Sequence, residues 1–155
     1  MKYMLDTNIC IYAIKHKPET VIKNFLSRDP EEICVSVITY AELMHGVEKS
    51  MAVERNRIAL SLFLSPITVL EFHASAAEEY GKIRAQLEKQ GRPISLMDML
   101  IAGHARSEGL VLVTNNTKEF QRVEGLAVED KTTPERRKMS IKPLKSTLSY
   151  LTHGK

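Results

Sequence analysis

Apolar positions along this chain follow two rhythms. Short unbroken runs, Tyr3-Met4-Leu5, Ile33-Cys34-Val35-Ser36-Val37-Ile38, Ile67-Thr68-Val69-Leu70 and Leu110-Val111-Leu112-Val113-Thr114, have the character of strands buried on both faces. A further short strand is suggested by Leu126-Ala127-Val128. Between these runs the apolar residues recur at helical spacing. Val21, Ile22, Phe25 and Leu26 mark a small helix after Pro18, and Ile58, Leu62 and Phe63 mark another within residues 54–64. Ala77, Tyr80, Ile83 and Leu87 form one stripe of a long helix from His73 to Gln90, closed by Gly91 and Pro93. Thr39 with Glu42, Ser95 with Asp98 and Asn116 with Glu119 have capping-box spacing, so each pair predicts a helix start. The first of these helices should run to about Lys49 and the second should end at Gly109. Strands of continuous apolar character alternating with helices predict an α/β fold with a doubly wound parallel sheet covered on both faces. No internal repeat or low-complexity stretch interrupts the pattern.

The length of 155 residues suits one domain with at most a short appendage. Charge changes that picture near the carboxyl terminus. Residues 1–130 carry 15 basic and 18 acidic side chains, a balance of −3, whereas residues 131–155 carry seven basic side chains and only Glu135, a balance of +6. The expected organisation is therefore a domain over residues 1–130 and a basic tail over 131–155, either disordered or a short amphipathic helix. Ile141, Leu144, Leu148 and Leu151 supply a narrow helical stripe for the second case. Cys10 and Cys34 sit in apolar stretches without metal-type spacing and read as buried free thiols. No leader-like apolar run and no 18-residue apolar span is present, so the expected location is cytoplasmic.

Candidate chemistry comes from acids. Asp6, Glu42, Asp98 and Glu119 each fall just after a strand or in a helix's first turn. In open parallel sheets ligands bind beyond the carboxyl ends of the strands, where segments distant in sequence converge. Several ionised carboxylates sharing such a crevice repel one another, and an oxygen-only donor set without His or Cys suits Mg²⁺ or Mn²⁺. The chemistry that follows is metal-assisted phosphodiester hydrolysis. A plainer reading stands beside it: a first-turn carboxylate gains ~0.3 to 1 kcal/mol from the helix dipole, and capping accounts for each acid taken singly.

The neighbours of these acids carry a resemblance. Met4-Leu5-Asp6-Thr7-Asn8, Thr39-Tyr40-Ala41-Glu42-Leu43 with Gly46, Gly91-Arg92-Pro93-Ile94 ahead of Asp98, and Val113-Thr114-Asn115-Asn116-Thr117-Lys118-Glu119-Phe120 resemble, in order and spacing, the motifs of PIN-domain ribonuclease toxins of the VapC type. The resemblance spans about residues 1–130. It implies a three-layer α/β/α sandwich around a central parallel sheet and Mg²⁺- or Mn²⁺-dependent endoribonuclease activity, often on transfer RNA. It also implies a homodimer and neutralisation by a cognate VapB antitoxin. Carried over by position, Asp6, Glu42 and Asp98 match the family's three acids, and these with Asn116 form the expected metal set. Many relatives have an aspartate where this chain has Asn115-Asn116, which makes Glu119 the candidate fourth catalytic acid. The stretch before the third acid also differs, with Ser95-Leu96-Met97 in place of a Gly-Pro-aromatic sequence.

Two other functions fit parts of the pattern. Asp6-Thr7-Asn8 could serve a phosphotransferase or phosphatase with Asp6 as nucleophile, although Asn8 stands where such enzymes usually carry a second acid. A PIN-like fold could also act only as a binding module. The five histidines show no metal-ligand spacing, and His104 reads as a packed or surface histidine instead of a general base. Arg84, Arg92, Lys118 and Arg122 flank the crevice in sequence, where RNA phosphates or solvent could meet them.

Overall fold

The computed structural model of this chain describes residues 1–16 and 29–130, together with the backbone of 139–141. The element order is β1 (Tyr3–Leu5), α1 (Thr7–His16), a 3-10 turn (Pro30–Glu32), β2 (Ile33–Ser36), α2 (Val37–Glu48), α3 (Val53–Leu64), β3 (Thr68–Leu70), α4 (Ala74–Lys89), α5 (Leu96–Ser107), β4 (Val111–Thr114), α6 (Thr117–Phe120), β5 (Ala127–Asp130) and β6 (Met139–Ile141). The expected helix at Val21–Leu26 lies outside the described residues.

The strands form one sheet in the order β3-β2-β1-β4-β5-β6. The first five are parallel, with Leu5 opposite both Val35 and Val113. Because side chains alternate across a strand, each strand feeds two cores. Leu5, Val35 and Val113 pack with Ile9, Leu43 and Leu60 under α1, α2 and α3. Met4, Cys34 and Leu112 pack with Ile83, Leu87, Ile101 and Phe120 under α4 and α5. The α/β/α sandwich expected from the sequence is what forms, and both cysteines are buried free thiols within it.

Local punctuation follows the chemistry of the ends. Helices α4 and α5 each close on a glycine with positive φ, Gly91 at 65° and Gly109 at 66°. The next amide, of Arg92 or Leu110, returns to the carbonyl of Leu87 or Ala105 at 3.0 and 2.9 Å, and a β-carbon would strain this turn. Gly103 has a different reason. A β-carbon there would stand 2.8 Å from the Tyr80 amide nitrogen and 3.1 Å from the Ala76 carbonyl, so α4 and α5 meet backbone to backbone.

Two expectations need correction. The run Ile33–Ile38 does not stay extended: Ser36 Oγ accepts the Ile38 amide at 3.0 Å, and α2 begins at Val37. Ser36 is therefore the cap, and Thr39 is not; the β-branched run hid a helix start because Val37 and Ile38 sit in the first turn. At the other end, Met139–Ile141 is neither helical nor disordered. It pairs antiparallel with β5, Ile141 opposite Ala127 and Met139 opposite Glu129. The remaining stripe positions, Leu144, Leu148 and Leu151, lie outside the described residues. Ile141 alternates with Met139 in an extended pairing, a geometry its helical spacing to Leu144 did not reveal.

Candidate active site

Strand order places the site. The chain leaves β1 toward β2 and β3 on one side, while β4 and β5 lie on the other, so the direction of winding reverses between β1 and β4. Crevices open at such a switch point beyond the strands' carboxyl ends. Asp6 follows β1 directly and Thr114 ends β4, and the Thr114 hydroxyl donates to Asp6 Oδ2 at 2.7 Å across that boundary. The same Thr114 oxygen accepts the Asn116 amide at 2.9 Å, fixing the turn out of β4.

Asp6 is buried, with 1% exposure, and its second oxygen, Oδ1, is buried without any hydrogen bond. A buried acceptor left unpaired is costly, and the group responds by holding its proton. Desolvation is the largest influence and lifts the Asp6 carboxyl to a pKa of about 6; the Thr114 hydroxyl and the neighbouring backbone amides of Thr7 and Asn8 oppose the shift, and the charge of Asp98 adds to it. Asp98 is also raised, first by burial and then by the charges of Glu119 and Glu42, against a lowering contact from Ser95. Asp98 is thus the acid through which the four segments are linked: its charge acts on Asp6, and those of Glu42 and Glu119 act on it.

Their roles in holding the fold differ. Asp98 sits in the first turn of α5, where its amide donates to Ser95 Oγ at 3.2 Å, so the predicted cap at Ser95 forms. Glu42 stands in the second turn of α2, beyond the reach of the helix's free amides, and capping does not account for it. Its Oε1 instead accepts the Thr7 hydroxyl at 2.7 Å. Thr7 has one hydrogen and gives it to that carboxylate, so the contact of 3.1 Å with the Thr39 hydroxyl has Thr39 as donor. Asn116 precedes α6 without capping it through its side chain, which donates to Glu119 Oε2 at 3.1 Å.

Among the described residues, no three His, Cys, Asp or Glu side chains are close enough together to hold an ion as they stand. Like charges settle apart, and Glu42 and Glu119 are each held by a neutral donor, Thr7 or Asn116. The donor set nonetheless fits a hard divalent cation: it is all oxygen, it is charged, and it includes the orphaned Asp6 Oδ1 at the centre of the strand ends. A groove lined by Thr7, Asn8, Ile11, Glu42, Leu60 and Met97 opens onto Glu42.

Sequence reading missed the hydroxyls. Thr7 and Thr114 tether Glu42 and Asp6, with Thr39 bracing Thr7, and a polar residue ending an otherwise apolar strand was the available signal for Thr114. It also missed Ser36. His104, read as a packed or surface histidine, is the former: it is fully buried, with Nδ1 2.7 Å from Ser36 Oγ. Of the flanking cations, Arg84 is engaged by Glu88 and the Tyr80 hydroxyl, and Arg122 reaches the Pro93 carbonyl at 3.2 Å.

This switch-point cluster of acids on a parallel sheet agrees with what comparison by sequence shows: the PIN domain family matches residues 3–126, and the chain belongs to that family. Its relatives place it further. It is 52% identical over 130 residues to the tRNA(fMet)-specific endonuclease VapC of Shigella flexneri, covering 84% of this chain and 98% of that protein. It is 48% identical over the same shares to ribonuclease VapC2 of Haemophilus influenzae. The fold superposes on a chain of DNA-bound VapBC from Salmonella typhimurium with a TM-score of 0.81 at 47% identity, and on one of VapBC2 from Rickettsia felis, bound to a promoter DNA fragment, with 0.80 at 43%. Each match covers 84% of this chain and 98% of its counterpart. Within the PIN-domain family, the chain is a member of the VapC group.

Proposed function

We propose that this protein is the toxin of a VapBC-type module, an endoribonuclease that hydrolyses phosphodiester bonds of transfer RNA with Mg²⁺ or Mn²⁺ and is neutralised by a VapB-type antitoxin. Relatives named for tRNA(fMet) cleavage, nearly half to just over half identical along almost their whole length, support tRNA(fMet) as substrate. The VapBC structures support the partner, and a homodimer is part of the same reading. No helix among the described residues is long and apolar enough to cross a membrane, and a cytoplasmic site of action accords with an RNA substrate.

The observation that carries the metal assignment is the buried Asp6 Oδ1, without a hydrogen bond, on a carboxyl that feels the charge of Asp98, which in turn feels those of Glu42 and Glu119. Asp6, Glu42 and Asp98 would hold the ion, with Asn116 beside them and Glu119 as fourth acid. A divalent ion bound there supplies a water of lowered pKa and offsets charge developing on the phosphate oxygens. Thr7 holds one oxygen of Glu42, and Thr114 holds Asp6 Oδ2, which would leave Oδ1 for the ion. Glu119 would accept the proton of the attacking water, and Asn116, which donates to Glu119 Oε2, would keep that carboxylate in place.

The test is incubation of the purified chain with a tRNA pool in Mg²⁺, alongside EDTA and Asp98→Asn, with the cut ends mapped. Cleavage of tRNA(fMet) that needs both the ion and Asp98 is the expected result. Cleavage unaffected by EDTA would remove the metal from the mechanism.

A further inference from the structure

His104 lies on α5, six residues after Asp98, and Ser36 caps α2, six residues before Glu42. The ring nitrogen Nδ1 of His104 and Ser36 Oγ are 2.7 Å apart and fully buried. The two helices are thus joined at one end of their contact by a hydrogen bond. At the other end stand Glu42 and Asp98, whose charges act on each other. The arms are equal, each about 9 Å at the helical rise per residue. A slide of α2 against α5 would change the spacing of the two acids directly.

The bond is built to resist such a slide. Ser36 Oγ also accepts the Ile38 amide at 3.0 Å, so one oxygen holds both the first turn of α2 and the ring of α5. Phe72 packs edge-on against the imidazole, ring centroids 5.2 Å apart at 72°, and fixes the ring's rotation. Next to it, Gly103 seats α5 against the α4 backbone. Burial lowers the imidazole's affinity for a second proton, with His73 acting in the same direction and Glu108 and the Glu71 backbone opposing. The neutral ring bridges to Ser36 whichever partner donates. Glu42 and Glu119 each repel Asp98, and this tie works against any separation of α2 from α5 that the repulsion between Glu42 and Asp98 favours.

We propose that His104 is a positioning residue of the nuclease site: through Ser36 it fixes the start of α2 against α5 and so sets the separation of Glu42 from Asp98. The proposal rests on the reading of these two acids as the nuclease site. It assigns His104 no contact with RNA and no proton transfer.

The test compares His104→Leu and His104→Asn in the full chain. Leucine fills the space without a polar atom, whereas asparagine puts an amide close to where Nδ1 stands. Three quantities are read: kcat and KM for RNA cleavage in Mg²⁺, Mg²⁺ binding by calorimetry without RNA, and the melting temperature. His104→Leu is expected to lower kcat by about 10- to 100-fold with KM within about 2-fold, and to weaken Mg²⁺ binding. His104→Asn should recover kcat to within about 3-fold of wild type while melting no higher than His104→Leu. Activity that simply follows melting temperature across the variants, or an undiminished kcat in His104→Leu, overturns the proposal. If His104→Leu does not fold, Ser36→Ala severs the same contact, and an unchanged kcat there is equally decisive against it. Glu42→Gln and Asp98→Asn run in parallel separate the two readings. Activity in those variants sinks the site itself, whereas their inactivity beside an active His104→Leu sinks only the positioning role.

Discussion

Thr7 donates its hydroxyl to Glu42 at 2.7 Å, joining the first residue of α1 to an acid 35 positions further on. The bond fixes one carboxylate oxygen and leaves the other for the crevice. Thr7→Val keeps the shape and removes the donor, so Glu42 should lose its orientation. Cleavage should fall by about 10-fold, or ~1.4 kcal/mol of transition-state stabilisation, while Thr7→Ser stays near wild type. Steady-state kinetics on a fixed tRNA substrate measure both, and equal activity in the valine variant would show that Glu42 needs no tether.

Neutralising the central acids removes charge from the ion's ligands at nearly constant volume. Asp6→Asn, Glu42→Gln and Asp98→Asn should each lose at least ~100-fold in cleavage, about 2.7 kcal/mol. Folded far-ultraviolet spectra for all three would locate the loss in the chemistry instead of the scaffold.

Glu119 and Asn116 form a hydrogen-bonded pair at 3.1 Å, so the two should be read together. Glu119→Gln is expected to raise the Mg²⁺ concentration for half-maximal cleavage, and Asn116→Asp to preserve or increase activity. A metal titration that leaves Glu119→Gln superimposed on wild type would return that residue to ordinary helix-start duty.

Asp6 makes stability depend on pH in a direction unusual for a carboxylate. Its pKa is about 6 in the folded chain against an ordinary value of 3.8, so the folded state binds the proton more tightly. In EDTA, this carboxyl should cost the fold nothing below about pH 4, an increasing amount as pH rises toward about 6, and a constant amount above it. Each tenfold gain in proton affinity on folding corresponds to ~1.4 kcal/mol, so that cost amounts to at most about 3 kcal/mol. Asp6→Asn should lack this contribution, and urea titrations at a series of pH values would reveal it. Added Mg²⁺ should offset the loss above pH 6, because binding requires the ionised carboxylate.

The segment 131–155 carries a balance of +6. If it contacts RNA, removing it should flatten the dependence of RNA affinity on salt, since fewer counterions are released on binding. Fluorescence anisotropy across a salt series, in EDTA to prevent cleavage, checks this, and parallel slopes would make the segment a bystander to RNA.

Much of this architecture could be read from the chain alone because strand and helix periods are sharply separated. Met4 and Leu5, or Leu112 and Val113, are adjacent apolar pairs that make sense only when both faces of a sheet are covered, and each pair does divide between the two cores. Ser95 and Gly109 marked α5 correctly because capping and termination depend on single residues. The start of α2 was obscured because Val37 and Ile38 suit strand and first turn alike, and only the neighbouring Ser36 decides. Asp6 was legible as a strand-end residue, and Asp98 and Glu119 as first-turn acids, while Glu42 lies a turn further into its helix than the spacing implied. The tethers of Glu42 and Asp6 were not, because Thr7 to Glu42 and Thr114 to Asp6 are contacts across 35 and 108 positions that no local pattern encodes. The bond from Ser36 to His104 spans 68 positions and was hidden for the same reason.

The antiparallel strand at Met139–Ile141 has a bearing on how the domain can be handled. The curated relatives matched over 130 residues are covered to 98% of their length, so this strand belongs to the part of the chain outside their match. Here it occupies the outer flank of β5, whose backbone amides and carbonyls would otherwise stand open. Unpaired strand edges recruit other strands. A version shortened after Asp130 to resemble its relatives would keep the acids and the switch point but expose the flank of Ala127–Asp130 to neighbouring molecules. Solubility at high protein concentration, and the order in which the sheet closes during refolding, are therefore the properties in which this chain should part company with its shorter kin.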